Sequence, residues 1–265
     1  LPAIALAGLV AMCNGLNSAQ LAANHPVSGG TYEYGHRWLN PSLGFVAGWM
    51  FLCAKSASAA TAALGFALYL APDHQIPVAL GTVALTTSIT LTGMQRSNTV
   101  NALIVGAVLL ALLAFVALGA PAIGAHPERW QTTLQPGQFG QLLPTAALMF
   151  VAFTGYGRIA TLGEEVTEPR RTIPRAVLTT LILSMLLYIG VAWVSLANAE
   201  NEIGSLANLA EEFSGSTLGK VMLVAAAIAM VSVLLNLVLG LSRVVLAMGR
   251  RGDLPKATAH IRLTS

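Results

Sequence analysis

LLPTAALMFVAFTGYGRIATL, Leu142 to Leu162, is an apolar run of membrane-crossing length, interrupted by Phe153-Thr154-Gly155-Tyr156-Gly157. Two glycines so close together weaken a helix, and hydrocarbon offers the freed backbone groups no replacement partner. Such a break is tolerated where it lines a cavity, so the stretch implies both a membrane span and a place for a solute. Gly155 to Ala160 also satisfies the loose dinucleotide pattern GxGxxA. That pattern works only between a short strand and a helix in a soluble unit, and the apolar residues around it exclude that context.

Six further apolar segments flank this one, so that spans fall at about 1 to 21, 42 to 70, 76 to 94, 98 to 119, 142 to 162, 174 to 198 and 217 to 247. Each is roughly 20 residues or longer, enough to cross a ~30 Å hydrocarbon layer. With 55% hydrophobic and 9% charged residues, the chain has too little polar surface to cover a soluble globule of its 265 residues. The fold class is all-α: a polytopic membrane protein of about seven transmembrane helices. The connectors from Pro121 to Gln141 and from Asn198 to Leu218 are long enough to hold short surface helices. Leu1 is not a methionine and lies already inside an apolar run, and the last residues read as the middle of a polar connector. The expectation is a partial chain, one membrane domain incomplete at both ends.

If all seven segments cross, one side carries Arg37, Arg96, Arg170, Arg171, Arg175, Arg250, Arg251, Lys256 and Arg262, and the other only Arg129 and Lys220. Because basic loops stay in the cytoplasm, the first group marks the inner side and the chain enters from outside. The same distribution accounts for the formal charge of +3 without a nucleic-acid partner. Cys13 and Cys53 lie inside apolar segments with no CxxC spacing and read as small core residues. No metal and no cofactor is expected.

Leu162-Gly163-Glu164-Glu165-Val166-Thr167-Glu168-Pro169-Arg170-Arg171-Thr172-Ile173-Pro174-Arg175, taken with the interrupted stretch before it, resembles the signature of amino acid permeases of the amino acid/polyamine/organocation superfamily. Three more blocks match in order: Pro26-Val27-Ser28-Gly29-Gly30-Thr31-Tyr32-Glu33-Tyr34, then Gly44-Phe45-Val46-Ala47-Gly48-Trp49, and Ser242-Arg243 leading to Arg251-Gly252-Asp253-Leu254-Pro255-Lys256. The resemblance implies a five-plus-five inverted-repeat transporter fold, with these spans as core helices two to eight. It implies an amino acid substrate, a proton or sodium ion as coupling partner, and residence in the plasma membrane. Its orientation agrees with the one obtained from charge.

Backbone carbonyls released from Val151, Ala152 and Phe153 can receive an ammonium, and the amides that open the next half-helix around Gly155 and Gly157 carry partial positive charge. By resemblance, this segment takes the amino group of the substrate, with Phe153 as an aromatic lid and Thr154 tuning the pocket. Lys55 lies about 14 residues beyond Pro41, so its backbone is roughly 21 Å into a ~30 Å layer. A charge there faces the bundle or reaches toward water. Some relatives couple transport through a lysine on the fifth core helix, but Asn101 to Val108 here contains none, which makes Lys55 the candidate coupling charge. Arg158, Arg243, Glu164 and Glu165 are candidates for an ion-pair gate near the inner end, competing with simple anchoring at the interface. Ser232 and Asn236 share a helix face and are weak candidates for a sodium site, competing with simple bonding to a neighbouring helix.

These features read as a secondary transporter rather than an enzyme. HExxH, GxSxG and GxxxxGK[ST] are absent, and all five histidines, His25, His36, His74, His126 and His260, fall in connectors. An antiporter of cationic amino acids or polyamines and a receptor that binds amino acids without moving them remain as alternatives.

Overall fold

The computed structural model describes residues 1–91, 94–131, 140–158, 166–199 and 205–259. Among them there is no strand. The helices are α1 Pro2–Asn24, α2 Thr31–Trp38, α3 Pro41–Leu70, α4 Gln75–Leu91, α5 Met94–Gly119, α6 Pro121–Ala125, α7 Pro127–Gln131, α8 Leu142–Phe150, α9 Pro169–Asn198, α10 Leu206–Ser214 and α11 Ser216–Arg251.

Five stretches are long and apolar enough to cross a membrane as single helices: Pro2–Asn24, Pro41–Leu70, Asn98–Ala125, Pro169–Asn198 and Ser216–Arg251. The two other expected spans are shorter. α4 has 17 residues, the lower end of what a bilayer needs. It carries hydroxyls into the apolar layer by bonding them back to its own backbone: Thr82 donates to Val78 at 2.8 Å, Thr86 to Thr82 at 2.9 Å and Thr90 to Thr86 at 2.9 Å. The other is the broken segment, Leu142–Tyr156.

Boundaries follow local chemistry. Asn40 caps α3, its carboxamide oxygen accepting from the Leu43 amide at 2.7 Å, with Pro41 at the first helical position where no donor is lost. α9 starts at Pro169, five residues ahead of the expected Pro174, which the helix carries in its interior. Pro169 is the better initiator, because a first-turn proline forfeits no internal hydrogen bond. The two long connectors hold short helices, α6 and α7 in one and α10 in the other; α6 continues the apolar stretch that ends at Ala125, and α10 buries Leu209 and Ala210.

The chain packs as two units. One comprises Leu1–Gly15, Gly106–Tyr156 and Leu178–Ala226. Its core gathers Phe115, Val194, Leu209, Ala210, Leu218 and Met222, with Phe213 edge-on to Phe115 at a ring separation of 5.3 Å. Asn198 closes this core: its side-chain amide donates to the carbonyls of Gly119 at 3.0 Å and Val194 at 2.9 Å. Only glycine fits at 119, because a Cβ there would collide with Val194.

The other unit comprises Leu16–Val105, Gly157–Val177 and Ala227–Ser265. Small residues let its helices approach: Ala62, Ala63 and Ala67 of α3 pack with Ala79 of α4 and Leu234 of α11. A second cluster joins Tyr32 of α2 to Val244, Ala247 and Met248 of α11.

Candidate functional site

α8 ends at Phe150, and Val151–Tyr156 continues as a 3-10 helix. The interruption thus begins ahead of the two glycines, and i to i+3 bonding replaces i to i+4 bonding across the segment expected to be open. The hydroxyl of Thr154 donates to the carbonyl of Val151 at 2.9 Å, and the hydroxyl of Tyr188, from α9, donates to the carbonyl of Ala152 at 3.1 Å. The Val151 carbonyl, which also takes part in the 3-10 backbone bonding, is thereby fully engaged, so a solute donor reaches these oxygens by displacing a hydroxyl. Phe153 is buried, 3% exposed, with its ring edge-on to Tyr188 at 5.1 Å. Gly8 of α1 makes room for it: a Cβ at that position would lie 2.7 Å from the Met185 sulfur and 3.4 Å from the Phe153 ring.

Gly155 and Gly157 are not glycines for want of space. A Cβ on either would meet no described atom within 4 Å. Close helix packing therefore does not explain the pair among the described residues. Neither has a positive φ, so no backbone conformation reserved for glycine explains them either.

Lys55 is half-buried in α3, with its ammonium 5.9 Å from the ring centroid of Phe51, one turn earlier. This is a cation held over an aromatic face. Ser232 and Asn236 meet on one acceptor: Ser232 donates to the carboxamide oxygen of Asn101 at 2.7 Å and Asn236 donates to it at 2.8 Å. Asn101 stands in the α5 stretch that lacks a lysine, so this part of α5 offers α11 a neutral acceptor. Arg158 and Arg243 are both half-buried. Glu164 and Glu165, the acidic half of the expected gate, lie outside the described residues.

The structure also joins two sequence blocks that had been read separately. Gly29 and Gly30 turn the chain with φ of 113° and 52°, and Tyr32 of α2 enters the protein completely, 0% exposed, under Gly48 of α3. Its hydroxyl donates to Asp253 at 2.6 Å, and the His36 imidazole lies 3.3 Å from the same carboxylate oxygen. Beside them Arg251 grips Glu33 with two parallel bonds of 2.9 and 2.6 Å. Burial raises the Tyr32 phenol well above the usual range and the Asp253 carboxylate adds to the shift, while burial alone pushes Tyr34 up to about 12. Nothing in the sequence paired these blocks, which lie more than 200 positions apart, although opposite charges at Glu33 and Arg251 were the available signal.

A family model described as amino acid permease matches residues 1–262. A transporter of Mycobacterium tuberculosis, itself uncharacterised, is 38% identical over 263 residues, which is 97% of this chain and 60% of the relative. The branched-chain amino acid permease BcaP of Bacillus subtilis is 24% identical over 288 residues, covering 97% of this chain and 61% of the relative. The methylthioribose transporter of the same bacterium is 27% identical over 283 residues, covering 97% and 60%. The chain spans about three fifths of the length of the relatives it matches.

Proposed function

We propose, from the premise that the chain belongs to the amino acid permease family, that it is the central part of a secondary active transporter that moves amino acids by alternating access around the interruption at 151–157. The chain is an integral membrane protein of the plasma membrane. The observation that carries the reading is the change from α-helical to 3-10 bonding at Val151, inside the apolar segment Leu142–Tyr156. It leaves carbonyls and amides that a zwitterion can use.

In this reading the carbonyls of Val151, Ala152 and Phe153 take the substrate ammonium, and Gly155 and Gly157 leave the backbone open to it. Thr154 and Phe153 shape the side-chain pocket. Lys55 supplies the coupling charge, with a proton as the coupling ion. Arg158 and Arg243 with Glu164 and Glu165 form the inner gate. Ser232 and Asn236 act as helix-bonding groups rather than sodium ligands, a role supported by their shared bond to Asn101. No chemical conversion of the substrate is part of this function.

The test is uptake of labelled amino acids, with methylthioribose included because one relative carries that name, into proteoliposomes holding the full-length protein. A subset of amino acids taken up faster under an inward proton gradient supports the proposal. Lys55→Ala should then abolish the stimulation. Binding without flux under proton, sodium and counter-substrate gradients overturns it in favour of a receptor.

A further inference from the structure

The ring of Phe153 is held by two helices. Tyr188 of α9 meets it edge-on at 5.1 Å. Gly8 of α1 has no side chain where the tip of the ring arrives: a Cβ there would lie 3.4 Å from Phe153 Cζ, 2.7 Å from the Met185 sulfur and 3.0 Å from Met185 Cγ. A contact as short as 2.7 Å forces a neighbour to move, so this seat is full with glycine at position 8. The ring, Gly8, Met185 and Tyr188 all belong to the same packed unit. Burial of the ring comes from these named contacts, which further protein can add to but not undo.

α1 meets the interruption a second time. A side-chain hydrogen bond joins Asn14 to Tyr156, the last residue of the 3-10 segment. Gly8 and Asn14 are six residues apart, about 9 Å along a helix, so α1 holds the segment at Phe153 and again three residues on. A 3-10 turn has poorer hydrogen-bond geometry than an α-helix and defines its own path less firmly. Its place therefore depends on what grips its side chains.

We infer that α1 positions the interruption: Gly8, with Met185 of α9 beside it, seats the Phe153 ring, Asn14 holds Tyr156, and together they fix where the carbonyls of Val151, Ala152 and Phe153 stand. The inference rests on the reading of 151–157 as the substrate segment. Gly8 and Asn14 are positioning residues, acting on the solute only through the segment they hold. An interior packed without spare volume passes a displacement on. A methyl group added at Gly8 pushes Met185 and Phe153, and a displaced Phe153 carries its own carbonyl and the two before it.

The test is equilibrium binding of labelled amino acids to the folded, monodisperse fraction of the purified full-length protein in detergent, beside thermal unfolding of the same samples. Wild type is compared with Gly8→Ala, Met185→Ala, the double variant Gly8→Ala/Met185→Ala, and Asn14→Ala. Gly8→Ala should weaken binding about tenfold, the order of one misplaced charge-assisted hydrogen bond. The double variant should bind more tightly and melt higher than Gly8→Ala, although it carries one more truncation, because the shortened side chain returns the room that the methyl took. Asn14→Ala should weaken binding about fivefold, the worth of one neutral hydrogen bond. A seat that only stabilises the fold would lower the thermal midpoint and leave the affinity of the folded fraction unchanged. That result, or independent effects of Gly8→Ala and Met185→Ala, overturns the inference. If Gly8→Ala gives no folded protein, Asn14→Ala decides, and an unchanged affinity there overturns it. Binding without flux removes the transporter and leaves the inference standing, whereas flux with an affinity unmoved by these variants removes the inference and leaves the transporter.

Discussion

Replacing Arg251 by glutamine removes both donors from Glu33 and leaves a carboxylate whose side chain is only 11% exposed. Breaking a fully buried pair costs about 3–5 kcal/mol, because the remaining charge stays desolvated. A fully exposed pair is worth about 0.2–1 kcal/mol. Here the acid is buried and the arginine is 43% exposed, so water reaches one partner and not the other. An intermediate loss of about 2–3 kcal/mol follows, consistent with two charge-assisted hydrogen bonds of good length. At about 2–4 °C per kcal/mol for a protein of this size, the thermal midpoint should fall by roughly 4–12 °C. Glu33→Gln in the same background removes the stranded charge and should recover about half of that loss. The assay is thermal unfolding of the purified full-length protein in detergent, for the two single variants and the double variant. A drop below about 1 °C for Arg251→Gln, or strictly additive single effects, would refute the argument that this pair clamps α2 to the end of α11.

Four other outcomes are expected. Tyr32→Phe removes a phenol whose folded pKa is raised, so its contribution is complete below the ordinary value of 10 and is lost as pH rises above it. Wild type should therefore lose stability more steeply than Tyr32→Phe from about pH 10 upward, and parallel curves would remove the effect. Tyr188→Phe frees the Ala152 carbonyl from a competing donor and should lower the KM for uptake by about two- to tenfold, the worth of one neutral hydrogen bond; a higher KM would mean that the hydroxyl itself touches substrate or holds the break. Phe153→Ala should cost about 3–5 kcal/mol, as for other buried aromatic truncations, read as a lower thermal midpoint, while a merely exposed lid would cost little. Asn101→Ala strands two donors and should destabilise by about 1–3 kcal/mol without altering any response to sodium; a lost sodium response would restore Ser232 and Asn236 as ion ligands.

The parts of the fold that were legible in the sequence are those governed by local chemistry. Length and apolarity found the spans, and proline and glycine found the turns, because both act on the backbone where they stand. The start of α9 was missed since Pro169 and Pro174 both punctuate, and only the first-turn position tells the initiator from the passenger. The broken helix was legible at Gly155 and Gly157, but its onset at Val151 was not. That onset coincides with Thr154 bonding back to Val151 and with Tyr188 arriving from 36 residues away. Tyr188 itself looked like one more aromatic residue in a membrane helix, and the pairing of Glu33 with Arg251 is a product of tertiary packing that no local pattern announces.

The hydroxyls at the interruption bear on how such a site works. A carbonyl stranded in a membrane without a partner would cost several kcal/mol, and an empty site would then be too unstable to persist. With Thr154 on Val151 and Tyr188 on Ala152, the unoccupied segment already has donors. On the function proposed above, a substrate ammonium would gain only the difference between a charged donor and the neutral ones, about 1–2 kcal/mol per carbonyl if the hydroxyl is displaced. Small net gains of this kind suit a carrier, which must release at one face what it captures at the other. In that reading the interruption is stable enough to survive empty and weak enough to let go, and both properties come from the same pair of hydroxyls.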